Sequence, residues 1–230
     1  MRPKFRIRSR AYALLETPLA VAAVVATAVF LAVVLDFLLG GPIALADLRL
    51  AYLVKGLRTG AGIDAMKAVT FFASGLVADL VIAASCAAAL LRRRPFAALA
   101  VLAGYLSLMS AVFFFKDFLG RARPDAWLRV VTESYGALPS GHAAAAAYVC
   151  SLLAYAAARR WPGPRARAAF AAAAGAVLLI DASRVYLGVH WLGDVVAGDA
   201  LGVAFAVGAV AGVRLLERPG RAVPRSRQVM

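Results

Sequence analysis

The stretch PLAVAAVVATAVFLAVVLDFLL, residues 18–39, has Asp36 as its only charged residue. A helix of about 20 apolar residues crosses the roughly 30 Å hydrocarbon core of a bilayer. Of the 230 residues, 63% are hydrophobic and 17% charged, whereas soluble domains have roughly 45–50% and about 25%. The excess lies in long runs rich in Ala, Val and Leu. The sequence therefore predicts an integral membrane protein.

Five further apolar runs follow the first. The six predicted spans are Pro18 to Leu39, Ala68 to Leu91, Phe96 to Phe115, His142 to Ala158, Ala168 to Ala182 and Leu192 to Leu215. We therefore expect an all-α fold, a polytopic bundle of six transmembrane helices that forms one domain over residues 1–230. The segment Gly40 to Lys67 mixes apolar and charged residues. It is expected to include an amphipathic helix in the membrane interface.

The distribution of basic residues predicts the orientation. The net charge of +14 would suit a nucleic-acid-binding protein, but the basic residues lie in short clusters between apolar runs, as membrane topology requires. One side of the predicted bundle holds 17 of the 26 Lys and Arg residues: Arg2, Lys4, Arg6, Arg8, Arg10, Arg92, Arg93, Arg94, Arg159, Arg160, Arg165, Arg167, Arg214, Arg218, Arg221, Arg225 and Arg227. By the positive-inside rule, the basic N-terminal segment 1–17 and the tail 217–230 are cytoplasmic. The N-terminal segment resembles the charged part of a signal peptide, but the run after it is longer than a signal core, which favours an uncleaved first span.

Four residues inside the apolar runs are interpreted as structural. Cys86 and Cys150 are expected to be small buried hydrophobes, since the sequence has neither a disulfide framework nor a C-x-x-C zinc motif. Asp79 and Asp199 also lie within spans, where a charge is costly. We expect them to serve helix packing or a cavity.

The outward side holds a group of residues suited to phosphate chemistry. The sequence has only two histidines, His142 and His190, and both lie at span ends on that side. Three cations and a carboxylate share the side: Lys116, Arg123, Arg184 and Asp194. Phosphoryl transfer spreads negative charge over oxygens, so it needs placed positive charge and N–H donors. Arginine binds two phosphate oxygens at once and lysine adds a compact charge.

The spacing of these residues predicts their roles. Ser140, Gly141 and His142 open the fourth span, where a helix N-terminus presents free N–H groups to anions. His190 and Asp194 are four residues apart and share a helical face. A carboxylate on one ring nitrogen leaves the other free to attack, so His190 is the expected nucleophile and Asp194 its orienting partner. His142 is the expected general acid.

Two further arginines of the outward side, Arg121 and Arg129, are interpreted as surface or headgroup charges.

Three ordered motifs resemble the signatures of the type-2 phosphatidic acid phosphatase superfamily. They are Lys116-x6-Arg123-Pro124, then Pro139-Ser140-Gly141-His142, then Ser183-Arg184-x5-His190-x3-Asp194. The resemblance implies metal-independent hydrolysis of phosphate esters or anhydrides through phosphohistidine, without a cofactor. It also implies that Lys116, Arg123, Ser140, Gly141 and Arg184 bind phosphate.

Two other classes of protein are compatible with parts of the pattern. A non-catalytic lipid-binding or transport protein on the same fold would be favoured if the nucleophile were missing, and His190 is present. A metal-centred hydrolase should show clustered His and carboxylate ligands, and none is apparent. Vanadate haloperoxidases resemble the same constellation, but six spans argue against one.

The expected substrate is a membrane lipid phosphate. A small chain with an outward site in a bacterial-type inner (plasma) membrane predicts a polyprenyl diphosphate such as undecaprenyl diphosphate first. Phosphatidylglycerophosphate comes second, and lipid A or phosphatidate third. No nucleic-acid partner is expected.

Overall fold

The computed structural model describes residues 5–217, with side chains from Pro18 onward. Over that range the chain forms eight α-helices and one 3-10 helix, Ala126–Leu128, and no β-strand. The helices are α1 (Phe5–Leu39), α2 (Pro42–Gly56), α3 (Gly60–Phe71), α4 (Gly75–Leu91), α5 (Pro95–Leu119), α6 (Gly141–Arg160), α7 (Pro164–Tyr186) and α8 (Leu192–Leu216). The predicted cytoplasmic tail lies outside the described residues except for Glu217, and so do the side chains of segment 1–17.

The predicted all-α membrane bundle is confirmed. Six stretches are long and apolar enough to cross a membrane: Pro18–Leu39, Gly60–Leu91, Pro95–Leu119, Gly141–Arg160, Pro164–Tyr186 and Leu192–Leu216. The first agrees with its predicted bounds, and the third, fourth and sixth agree within a few residues. The fifth extends beyond the predicted Ala168 to Ala182 at both ends.

The second span begins earlier than predicted, at Gly60 instead of Ala68, and consists of α3 and α4 joined by a short turn. Thr59 starts α3, because its side-chain oxygen accepts a hydrogen bond of 3.1 Å from the N–H of Gly62. Asp64 lies inside α3 and interrupts the apolar run, which is why the predicted start was too late. The expected interfacial helix is therefore confined to α2, in which Asp47 and Ala51 are the buried residues.

Helix α8 lies at the centre of the bundle and packs against α1, α5 and α6. Its contact with α6 is unusually close. A Cβ on Gly198 would lie 2.5 Å from the carbonyl oxygen of Ser140, and one on Gly202 would lie 2.4 Å from that of Ala144. On α6, residues 143–147 are all alanine and all buried, and the methyl groups of Ala143 and Ala147 face these two glycines. Small residues on both helices thus let the two backbones approach, as is common in membrane bundles.

The carboxyl groups within the spans contact neighbouring helices. The Tyr105 hydroxyl of α5 donates a 2.8 Å hydrogen bond to Asp79 of α4, and Asp199 of α8 lies beside Asp181 of α7. Both contacts agree with the expected packing role. Cys86 and Cys150 are half-buried free thiols.

Candidate active site

The C-terminal ends of α5 and α7, the N-terminal ends of α6 and α8, and the loop between α5 and α6 meet at one end of the bundle. Lys116 lies in the last turn of α5, where it is buried and its Nζ donates a 2.6 Å hydrogen bond to the carbonyl of Gly136. Gly120, the residue that follows the last helical residue of α5, has φ +55°. That left-handed conformation favours glycine, and the chain turns there into the loop.

Arg123 connects this loop to the segment before α8. Its guanidinium donates to the carbonyls of Tyr135 (3.0 Å), Ser134 (3.1 Å) and Val189 (2.7 Å). Its Nη1 also lies 3.2 Å from Nε2 of His190. The arginine is therefore held by the backbone next to the ring nitrogen that faces away from Asp194.

The segment before α8 is shaped by Gly188, which has φ +69°. A Cβ at this position would lie 2.1 Å from the carbonyl oxygen of Leu128. Both the backbone conformation and the space therefore require glycine, and the tight turn delivers His190 to the start of α8.

His190 and Asp194 form a buried pair. Nδ1 of the imidazole lies 3.3 Å from Oδ2 of Asp194, and the same oxygen accepts a 2.9 Å hydrogen bond from the N–H of Trp191. Asp194 thus caps α8 while it faces the imidazole. With the proton on Nδ1, Nε2 retains the lone pair that a nucleophile needs, and Arg123 is the donor next to it.

The electrostatic environment keeps this imidazole neutral. Burial lowers the pKa of His190 well below its usual value, and the charges of Arg184, Arg123 and Lys116 lower it further. At neutral pH the ring therefore carries one proton and retains a lone pair.

Arg184 lies almost fully buried in the last turn of α7. Its Nη1 donates a 2.7 Å hydrogen bond to the hydroxyl of Thr70 in α3, and its Nη2 is ion-paired with Glu133. Its Nε is buried without a hydrogen-bond partner among the described residues. Burial raises the pKa of Glu133, but the hydrogen bond and charge of Arg184 outweigh this effect and lower it below its usual value.

The N-terminus of α6 completes the site. Ser140 caps the helix, because its Oγ accepts a hydrogen bond of 3.5 Å from the N–H of Ala143. At Gly141 an added Cβ would make one ordinary contact, with Val112 at 3.7 Å. His142 is half-buried, and the charged groups acting on it belong to the same set: Arg184, Glu133, Lys116 and Arg123. The structure thus brings all eight sequence-predicted site residues to one end of the bundle.

The interpretation of Arg121 as a surface charge is wrong. Arg121 is buried and lies between two carboxylates, with Nη1 2.7 Å from Oδ1 of Asp194 and Nη2 2.6 Å from Oδ2 of Asp47. A short basic loop gives no sign of which of its arginines turns inward. Glu133 and Asp47 were missed for the same reason, since their partners are distant in sequence. Arg129 is half-buried, and its charge acts on Arg123.

The chemistry of this end of the bundle suits an anion. The charges of Lys116, Arg123 and Arg184 act on the neutral imidazole of His190 and also on His142 in the first turn of α6. Among the side chains that the structure describes, from Pro18 to Glu217, no group of three or more His, Cys, Asp or Glu residues could hold a metal ion.

Comparison with known proteins places this site in a family. The model of the PAP2 superfamily matches residues 97–217, which include every predicted site residue. Phosphatidylglycerophosphatase B of Bacillus subtilis (strain 168) is 37% identical over 90 residues, which span 38% of this chain and 44% of the relative.

A solved structure shares the fold. It is the crystal structure of the first transmembrane PAP2 type phosphatidylglycerolphosphate phosphatase from Bacillus subtilis, with TM-score 0.75 and 24% identity. The match covers 86% of this chain and 98% of that one. The resemblance seen in the three motifs is confirmed, and the chain belongs to the PAP2 superfamily.

Proposed function

We propose that the protein is a lipid phosphatase that works through a phosphohistidine intermediate. The observation that carries this proposal is the placement of His190. Its Nδ1 faces Asp194 at 3.3 Å, and its Nε2 faces the guanidinium of Arg123 at 3.2 Å. A nucleophile oriented by a carboxylate and directed at an anion-binding group is the arrangement that phosphoryl transfer to an imidazole needs.

In the proposed first step the substrate phosphate binds to Lys116, Arg123 and Arg184, with the N–H groups at the start of α6 as further donors. The Nε2 lone pair of His190 attacks phosphorus. The bond from phosphorus to the lipid oxygen breaks, and its electron pair stays on that oxygen. His142 donates a proton to the departing oxygen.

In the second step water attacks the phosphohistidine. His142 accepts a proton from this water, and the bond from phosphorus to nitrogen breaks, which returns the electron pair to Nε2 of His190. Inorganic phosphate leaves and both histidines regain their starting states. Asp194 stays on Nδ1 throughout and stabilises the imidazolium character that develops during the reaction.

The substrate is proposed to be a phosphate-bearing membrane lipid. The membrane bundle and the named activity of the Bacillus subtilis relative support phosphatidylglycerophosphate as the first lipid to test. Polyprenyl diphosphate, the first expectation from the sequence, also presents a terminal phosphate to the site. Phosphatidate is the third candidate.

The site is proposed to face the outside of the cell, with both termini in the cytoplasm. The support is the bias of 17 of the 26 Lys and Arg residues towards the opposite side. A topology reporter fused after Arg227 should give a cytoplasmic signal. A periplasmic signal there would overturn this orientation.

The test of the proposed activity is phosphate release by detergent-purified protein from these three lipids, with EDTA present and His190→Ala alongside. Activity that resists EDTA and is lost in the variant supports the proposal. Trapping of radiolabelled phosphate on the wild-type protein, stable to base and labile to acid, is expected for phosphohistidine. No release from any lipid would favour a binding protein, and loss of activity with EDTA would favour a metal enzyme.

A further inference from the structure

A chain of buried polar contacts continues behind Asp194, away from His190. One carboxylate oxygen of Asp194 faces the imidazole, and the other, Oδ1, lies 2.7 Å from Nη1 of Arg121. Arg121 is only 7% exposed and Asp194 is 0% exposed. A buried carboxylate needs all its oxygens satisfied, so the guanidinium is the group that completes the environment of this side chain.

Arg121 is in turn held by α2. Its Nη2 lies 2.6 Å from Oδ2 of Asp47, whose Oδ1 accepts a 2.9 Å hydrogen bond from the N–H of Gly193 in the first turn of α8. Asp47 is 3% exposed, although it belongs to a helix with several exposed apolar residues. The rings of Phe37 and Trp191 lie 5.2 Å and 5.9 Å from the centre of the guanidinium and limit its movement.

We propose that Arg121 and Asp47 are positioning residues for the nucleophile. Arg121 holds the carboxylate of Asp194 in the plane that meets Nδ1 of His190, and Asp47 fastens Arg121 from α2 while it binds the first turn of α8. This inference rests on the proposed function, in which His190 attacks phosphorus. It makes α2, which none of the three motifs includes, part of the support of the reaction centre.

The arrangement has an electrostatic consequence. The groups that face His190 come from every element around it: Lys116 of α5, Arg123 of the loop, His142 of α6, Arg184 of α7 and Asp194 of α8. Asp194 is the anion in contact with His190, and the positive charge of Arg121 partly neutralises this carboxylate. Removing the positive charge of Arg121 should therefore favour the imidazolium form, whereas removing the negative charge of Asp47 should not.

The first experiment measures His190 directly, without turnover. The sequence contains only two histidines. In protein that carries His142→Gln and is purified without a histidine tag, the ring signals of 15N-labelled histidine therefore come from His190 alone. We expect Arg121→Gln to raise the midpoint of its titration by about one pH unit. Asp47→Asn keeps the oxygen that accepts from Gly193, and we expect no upward shift. Arg94→Gln, which breaks an exposed ion pair with Glu217, is the control and should leave the signal unchanged.

The second experiment measures turnover in the background of an intact His142. We expect Arg121→Gln and Asp47→Asn each to lower kcat about tenfold at the wild-type optimum, with KM within about twofold, because neither residue is placed to touch phosphate. Arg121→Gln should also move the acid limb of the pH profile upward. Arg121→Lys, which keeps the charge, should restore the position of the limb.

The outcomes separate the two proposals. A wild-type protein that releases no phosphate refutes the proposed function, while the NMR titration still reports whether Arg121 acts on His190. Equal titration midpoints with and without Arg121→Gln in the His142→Gln protein, or wild-type kcat in Asp47→Asn, refute the positioning role. If Arg121→Gln does not fold, the kcat of Asp47→Asn decides alone.

Discussion

The backbone N–H of Ser140 donates a hydrogen bond of 2.9 Å to the main-chain carbonyl of Asp194. This bond joins the start of α6 to Asp194, the partner of the proposed nucleophile His190. The second and third motifs are therefore held together by the backbone itself, independently of their side chains. The register between α6 and α8 then decides whether phosphate and His190 meet.

The close contact at Gly198 maintains this register, so Gly198→Ala should lower both stability and turnover. The new Cβ would lie 2.5 Å from the carbonyl oxygen of Ser140, and backbone has to shift to make room. We expect a loss of about 1–3 kcal/mol of stability and a fall in kcat. Thermal unfolding in detergent and phosphate release measure the two effects.

Gly208→Ala is the matched control, because it lies on the same helix and has nothing within 4 Å of the added Cβ. It should be neutral or stabilising by up to about 1 kcal/mol. Equal effects of the two substitutions would contradict the importance of the register.

His142→Gln should slow substrates according to their leaving groups. An alkoxide leaves poorly without a proton, so release from a lipid monoester should fall about 100-fold or more. Release from p-nitrophenyl phosphate, whose phenolate leaves unaided, should fall less than about tenfold. Rates for a series of aryl and alkyl phosphates measure this difference, and uniform slowing across the series would remove His142 from the acid role.

Glu133 is paired with Arg184, a proposed phosphate ligand, so Glu133→Gln should tighten the binding of phosphate. Its carboxylate pairs with Arg184 and has to yield when a phosphate oxygen arrives. Without this internal competitor we expect inorganic phosphate to inhibit at about tenfold lower concentration. Glu217→Gln, which removes a similar carboxylate paired with Arg94, should leave inhibition unchanged.

The same pair gives a pH dependence of stability. The pKa of Glu133 is lowered in the folded protein, so its contribution is fully present above the pKa of the unfolded chain, about 4.3. This contribution is lost as pH falls through the lower pKa that Glu133 has in the folded protein. The stability difference between wild type and Glu133→Gln should therefore shrink as pH falls below about 4.3. A difference that grew on acidification would contradict the ion pair.

Thr70→Val should weaken substrate binding through Arg184. The hydroxyl of Thr70 accepts a 2.7 Å hydrogen bond from Nη1 of Arg184, and valine leaves this buried donor without a partner. A cost of about 1–3 kcal/mol corresponds to a rise in KM on the order of tenfold. Thr70→Ser keeps the oxygen and should stay near wild type. If valine and serine behave alike, the hydroxyl does not support Arg184.

The sequence could single out residues that the structure brings together because their spacing along the chain is short. Lys116 and Arg123 are separated by one turn and a short loop, and His190 and Asp194 share one helical turn. Each group lies at the end of an apolar run, where a polar residue is conspicuous. These features need no knowledge of how the helices are arranged.

The contacts of Arg121, Asp47 and Glu133 could not be predicted in the same way. Arg121 and Arg129 belong to the same loop and look alike in sequence, yet only Arg121 is fully buried. Its partners lie more than 70 residues away, so tertiary packing selects it. The start of α3 was misplaced because Asp64 lowers the local hydropathy, although Thr59 provides an ordinary helix start.

The run of alanines at 143–147 looks like a low-complexity segment, but it has a structural role. All five side chains are buried, and those of Ala143 and Ala147 lie where α6 and α8 approach most closely, so the run supplies the small side chains that this contact needs. Substitutions intended to raise the stability of this protein should therefore avoid the contact between α6 and α8. Room for such substitutions lies on the outer surface, at positions such as Gly175, where an added methyl group would meet nothing.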